Sequence, residues 1–326
     1  GVPPDARRRW PYNVPPADLI ERQYAGLPSN AHVRDAARQG ANVIVVHQGW
    51  MRSGGSNCEP PADYIPRNPR DLRRFVAACR RHGIRVGLYM RGVEKHAFFQ
   101  PYFEKFLRRD MDGLYVDWNS PFTLGQQNCS PLHFSALACY LFVRALRERV
   151  GDGGFLISHS GMSPTMLAFA PFDAYLPGEW RTQKQEFHAS PERALLHGFA
   201  SCIATNPIYS RTFATPRAAA FNAGLGFHPH VGLPCGAPLN RRHHMAGVWK
   251  ILSAAPVERA TFYNNLNENF RAALPSRRSL YTTTYRISRD QVLLLTANLG
   301  PRGGGEIRLN MAGLGLTGNY AVTELR

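Results

Sequence analysis

Asp117 and Glu179 are the two residues around which a chemical function can be built. Leu114, Tyr115 and Val116 precede Asp117, and Ala174, Tyr175 and Leu176 stand shortly before Glu179. An ionised carboxylate at the end of a buried apolar run is costly unless it has partners or a task. One strand-length run, ending at His159, lies between the two. Carboxylates that end alternate strands can face one another across the mouth of a barrel. A pair flanking a glycosidic bond is the minimum equipment for hydrolysing it. Plainer roles compete. Asp117 heads the turn-rich Asn119-Ser120-Pro121, where an aspartate caps a turn, and Glu179 stands two residues from Arg181, a surface ion-pair partner. The buried run before Asp117 and the Trp-Asn after it favour the site.

The other run ends carry the same chemistry. They read His47-Gln48-Gly49-Trp50, Tyr89-Met90-Arg91, Asp117-Trp118-Asn119, His159-Ser160, Glu179-Trp180-Arg181 and Asn206. Sugars stack their apolar ring faces on aromatics while their hydroxyls take directional hydrogen bonds. Trp50, Trp118 and Trp180 suit the first task. Arg91, Asn119, His159 and Asn206 suit hydroxyls or an acidic group, and His47, Tyr89 and Arg181 join them as expected ligand contacts. In this scheme Asp117 is the nucleophile of a retaining hydrolysis and Glu179 the general acid/base. Burial beside Trp180 or repulsion from Asp117 would hold the proton on Glu179. No cofactor is required. His228, His230 and the pair His243-His244 lack a carboxylate at matching helical spacing, so no metal site is expected. "HSGMS" (159–163) lacks the Gly-x-Ser-x-Gly of a serine-nucleophile elbow.

The elements that must position these residues alternate. Asn68-Pro69, Ser130-Pro131, Ser163-Pro164, Ser190-Pro191 and Thr215-Pro216 each place a capping side chain before a proline, a helix-start signature. After Asn68, the residues Leu72, Phe75, Val76 and Cys79 follow helical spacing toward a stop at Gly83. The helix from Ser130 is expected to bury Leu137, Leu141, Ala145 and Leu146 and to end near Gly151. Strands are expected over 42–47, 84–90, 114–117, 155–159, 174–179, 203–209 and 227–233, with a first strand around 10–14. Strands alternating with helices imply a parallel sheet covered on both faces. This many units in one chain favours a (β/α)8 TIM barrel over an open sheet. No glycine-rich phosphate fingerprint follows any strand. Beyond it, "SLYTTTYRIS", "QVLLLTANL", "GEIRLNM" and "NYAVTEL" are β-rich segments divided by glycine-rich turns. The expected organisation is an α/β chain: a catalytic barrel over 1–272, followed by a small C-terminal antiparallel β domain over 273–326.

Composition sets the outer bounds. At 326 residues, 44% hydrophobic and 19% charged, the chain can bury a substantial core. No apolar run approaches the ~20 residues of a membrane helix, and no signal-peptide pattern opens it. A net charge of +16 is a nucleic-acid binder's value, yet the arginines are scattered and form no recognisable nucleic-acid module, so a solvated surface is expected. The six cysteines show no CxxC pair. Cys79, Cys139 and Cys202 fall at apolar positions as buried thiols; Cys58 and Cys129 lie in expected loops, where pairing stays open.

Four segments resemble the α-galactosidase-like glycoside hydrolases of clan D. "GANVIVVHQGWM" (40–51) is similar to their second strand and its Gly-Trp ending, and "LRRFVAACRRHGIRVGLYM" (72–90) to the helix and third strand. "GLYVDWN" (113–119) is similar to the fourth, and "FDAYLPGEW" (172–180) occupies the place of the sixth. The resemblance implies a barrel followed by a β domain, Asp117 as nucleophile, Glu179 as acid/base where the family usually has Asp, and an oligosaccharide or glycoconjugate as substrate. No specific nucleic acid and no membrane partner is implied. Two departures stand out. His47 and Gln48 replace paired aspartates that grip sugar hydroxyls, and Tyr115 replaces a lysine. Both remove charged sugar contacts, so galactose specificity is not implied. They also motivate an alternative, a non-catalytic carbohydrate-binding barrel that has lost hydrolysis.

Overall fold

The apolar runs become staves of one parallel sheet. The computed structural model describes residues 21–52, 64–91, 111–117, 136–160, 172–177, 220, 223–224, 231–233, 245–263, 272–277, 279–301, 303–318 and 320–323. Seven strands form the sheet: β1 (Glu21–Tyr24), β2 (Val43–Val46), β3 (Arg85–Arg91), β4 (Gly113–Asp117), β5 (Phe155–Ser160), β6 (Ala174–Pro177) and β7 (Val231–Leu233). Their order is β6-β5-β4-β3-β2-β1-β7, and every neighbouring pair is parallel. Strands β1 to β6 follow chain order without reversal, and β7, the last strand of this sheet among the described residues, lies against β1, an adjacency that a closed barrel requires. Among the described residues no pairing joins β6 to β7.

The first strand differs from expectation. Residues 10–14 lie outside the described residues, and the strand that pairs with β2 is Glu-Arg-Gln-Tyr at 21–24. Three polar residues in succession hide it from an apolar pattern, and only Tyr24, 1% exposed, declares a core role. The expected strand at 203–209 is outside the described residues, as are the helix starts at Ser130, Ser163, Ser190 and Thr215. The run at 174–179 is strand to Pro177, and that at 227–233 is strand from Val231.

Four α-helices are described: α1 (Asn30–Arg38), α2 (Pro69–Arg81), α3 (Ala136–Val150) and α4 (Met245–Ala254). Helix α2 forms as its sequence dictates. The Asn68 side chain accepts from the amides of Arg70 and Asp71, Pro69 occupies the first turn, and Leu72, Phe75, Val76, Ala78 and Cys79 face inward. Gly83 takes a left-handed φ of 69° just beyond its end. In α3 the buried stripe passes through Val143 and Leu146, while Ala145 is exposed, not buried as expected. Ala145 lies about 200° around the helix from Val143, which turns it away from the sheet.

The C-terminal strands are antiparallel. β8 (Thr261–Tyr263), β10 (Leu280–Arg286) and β11 (Val292–Asn298) form a three-stranded sheet, and β9 (Ala273–Pro275) pairs with β12 (Ile307–Leu309). β8 joins from the N-terminal side of residue 273. Phe262, Tyr285, Leu293 and Leu295 share one core cluster with Tyr24, Val33 and Trp249, so this sheet packs against the helical flank of the parallel one. The expected strand at "NYAVTEL" is not formed over its described residues, 320–323, where Val322 is 94% exposed. With no apolar face to bury, strand propensity alone does not hold it.

Candidate active site

Strand register sorts side chains into two faces. Gly87, Gly113 and Phe155 are partners across β3, β4 and β5; two residues on, Tyr89, Tyr115 and Ile157 are partners. Side chains alternate along a strand, so Asp117 and His159 continue this face. The opposite face carries Met90, Leu114, Val116 and Leu156, which pack with Val143 and Leu146 of α3 and with Phe172. Asp117 therefore faces away from α3. Below it, the Phe155 ring lies over two glycines. A Cβ at Gly87 would come within 2.8 Å of that ring, and one at Gly113 within 2.6 Å. The Arg85 guanidinium sits 5.5 Å from the same ring's centroid. Aromatic filling makes a solid floor beneath the polar groups.

Asp117 is 9% exposed. Tyr89 donates its hydroxyl to Asp117 Oδ2 at 3.1 Å. His159 Nδ1 lies 2.7 Å from Asp117 Oδ1 and also 2.7 Å from the Tyr115 hydroxyl. The carboxylate is thus held on both oxygens, from β3 on one side and β5 on the other. Donors placed on a carboxylate favour its charged form and oppose the effect of burial. The rings form an arc across four consecutive strands. His47 stands 4.1 Å from Tyr89 between centroids, Tyr89 5.9 Å from Tyr115, and Tyr115 5.7 Å from His159.

The structure brings His47, Tyr89, Asp117 and His159 together, all named from sequence. Trp50 stands in the wall behind them. It is 4% exposed, its indole N–H donates to the Tyr89 carbonyl at 3.1 Å, and its ring lies 6.4 Å from Tyr64. Arg91 ends β3 in register with Asp117. Glu179, Trp118, Asn119, Trp180, Arg181 and Asn206 lie outside the described residues, as do His228, His230, His243 and His244. Tyr115 was not among the expected contacts, although its position two residues before Asp117 on one strand puts both on the same face. Among the described residues, no three His, Cys, Asp or Glu side chains gather as metal ligands would.

The opposite end of the strands carries structural charges. Asp112, just before β4, accepts from the Val86 amide and pairs with Arg80 at 3.0 Å. Asp173, just before β6, accepts from the Leu156 amide and pairs with Arg147. Asp173 is thus a brace at the end of the strands opposite Asp117. Cys79 is a buried free thiol, its proton held by burial first and by the nearby Asp112 second, well above a thiol's usual range.

The α-galactosidase AgaA of Geobacillus stearothermophilus, a GH36 enzyme solved with stachyose, superposes with a TM-score of 0.54 at 12% identity, over 82% of this chain and 47% of that one. The maltogenic α-amylase AmyB of Thermotoga neapolitana gives 0.54 at 9% identity, over 86% and 85%. The galactosidase domain of the α-galactosidase–sucrose kinase AgaSK gives 0.50 at 10%, over 83% and 46%. The chain spans about half the length of the two α-galactosidase chains. No family model and no curated protein matches it. The likeness is one of fold alone: those proteins are (β/α)8-barrel glycosidases with a C-terminal β domain, and this chain has a parallel sheet followed by antiparallel ones.

Proposed function

We propose that this protein is a retaining glycoside hydrolase of the α-galactosidase-like clan, built on a closed (β/α)8 barrel and cleaving an α-glycosidic bond in an oligosaccharide or glycoconjugate. The observation that carries the reading is Asp117: a buried carboxylate at the C-terminal end of a central strand, aimed by donors from both flanking strands. Barrel enzymes place their chemistry at that end. Asp117 attacks the anomeric carbon as the bond to the leaving oxygen breaks, and Glu179 delivers the proton that oxygen takes up. Glu179 then removes a proton from water, whose oxygen displaces Asp117 from the sugar. Retention corresponds to carboxyl groups ~5 Å apart, and inversion to ~6.5–9.5 Å. With His47, Gln48 and Tyr115 where related enzymes carry charged groups, the sugar is not assigned as galactose.

Asp117→Asn keeps size and hydrogen bonding while removing the nucleophile. Against a panel of aryl α-glycosides, kcat is expected to fall about a thousandfold or more, as loss of a covalent catalyst does. Turnover equal to wild type would remove Asp117 from this role.

A second reading is a carbohydrate-binding barrel without hydrolysis. It is favoured by one feature: both Asp117 oxygens already serve the protein's own donors. Calorimetric binding of a glycan that the wild type does not cleave, across a broad panel, would select it.

A further inference from the structure

His159 ends a strand where a sugar contact is expected, but its geometry assigns it another task. Its Nδ1 has two oxygens at 2.7 Å, Asp117 Oδ1 and Tyr115 Oη. An ionised carboxylate only accepts, so a bare Nδ1 would set lone pair against lone pair. The single proton between them therefore sits on Nδ1 and goes to the carboxylate, since a charge-assisted bond is about twice as strong as a neutral one. Tyr115 is left to orient the ring, its own hydroxyl hydrogen turned away from Nδ1. The neighbours on each side fit. Asp117 and Tyr115 face His159 from β4, Tyr89 of β3 stands on the far oxygen of Asp117, and His47 packs on the two tyrosine rings. Leu176, the register partner in β6, does not titrate.

We propose that His159 is a positioning residue for Asp117, fixing the carboxylate's rotation through Nδ1–H and holding it in its ionised form. The catalytic consequence rests on Asp117 acting as the nucleophile proposed above. The sign follows from what the imidazole favours. A donor, and more so a protonated ring, stabilises the carboxylate, so losing it makes ionisation require a higher pH.

The first test is independent of turnover. Nitrogen-15 NMR of the imidazoles in the full-length protein is expected to show His159 protonated at Nδ1 at neutral pH. Asp117→Asn should abolish that preference and lower the ring's titration midpoint, while Tyr115→Phe should leave the tautomer unchanged. A wild-type His159 protonated only at Nε2, or a tautomer that follows Tyr115 and not Asp117, would overturn the proposal. The second test is the pH profile of kcat/KM on the aryl α-glycoside that wild type cleaves. His159→Leu should raise the acid limb by about one pH unit or more. His159→Asn, which keeps a neutral donor near the Nδ1 position, should restore part of the shift. An acid limb unmoved in both variants would reduce His159 to packing. If no glycoside is cleaved but the NMR coupling is present, the hydrolase reading fails and the Asp117–His159 pairing stands.

Discussion

A carboxylate with one oxygen on Tyr89 and the other on His159 is restrained twice, and the two restraints are separable by mutation. Tyr89→Phe removes the Oδ2 donor without changing the ring that packs on His47 and Tyr115. A hydrogen bond to a charged group contributes about 1.5–3 kcal/mol, and each 1.4 kcal/mol on a barrier is about tenfold in rate. Tyr89→Phe should therefore lower kcat/KM by about tenfold or more, with a thermal midpoint close to wild type because the aromatic stack is intact. A stable variant with unchanged kcat/KM would mean that Oδ2 is not oriented by Tyr89. Much of this cluster was legible from residue type and place: a carboxylate after a buried run, and histidine and tyrosine at neighbouring run ends. Two things were not. The pairing of His159 with Asp117 depends on rotamers, which spacing does not specify. Trp50 reads as a stacking platform by type, but its indole N–H is tied to a backbone carbonyl within the wall.

At the scale of elements, the strands that hold this cluster are braced from below by a repeated device. An aspartate just before one strand caps an amide of the strand before it and grips an arginine on a preceding helix: Asp112 with Val86 and Arg80 of α2, Asp173 with Leu156 and Arg147 of α3. The two braces differ in exposure. Arg80 and Asp112 side chains are 52% and 23% exposed, against 19% and 10% for Arg147 and Asp173. Water screens the first pair, so Arg80→Ala should cost less than about 1 kcal/mol. Arg147→Ala strands a largely buried carboxylate and removes its bonds to the Gly151 and Gly154 carbonyls, at a cost of about 3 kcal/mol. Urea denaturation of the two variants measures this difference; equal midpoints would show that burial does not set the strength of the brace. Elements with local signals were legible. Asn68-Pro69 and a 3.6-residue stripe announce α2, and uninterrupted Val43–Val46 announces a strand covered on both faces. β1 was not legible, because its strand state comes from pairing with β2 and β7 on either side and not from its own residues.

At the scale of the molecule, the alternation of apolar runs and capped helices made a parallel sheet followed by antiparallel strands legible in the spacing. The net charge of +16 is a property of the whole as well, and its distribution decides what it does. On the outer helices, arginines are interleaved with acids: Arg38 with Asp35, Arg74 with Asp71, Arg144 with Glu148. Pairs of this kind blunt the local field while leaving the excess spread over the surface. Diffuse positive charge attracts any polyanion weakly through counterion release and reads no sequence. The protein should therefore bind heparin and short DNA duplexes of unrelated sequence alike in 50 mM salt, with affinity falling by at least tenfold by 200 mM. Fluorescence anisotropy across a salt series checks this. A strong preference for one sequence, or binding that persists at high salt, would mean that some of these arginines act together as a site, and the helices flanking the parallel sheet would then become a second functional surface.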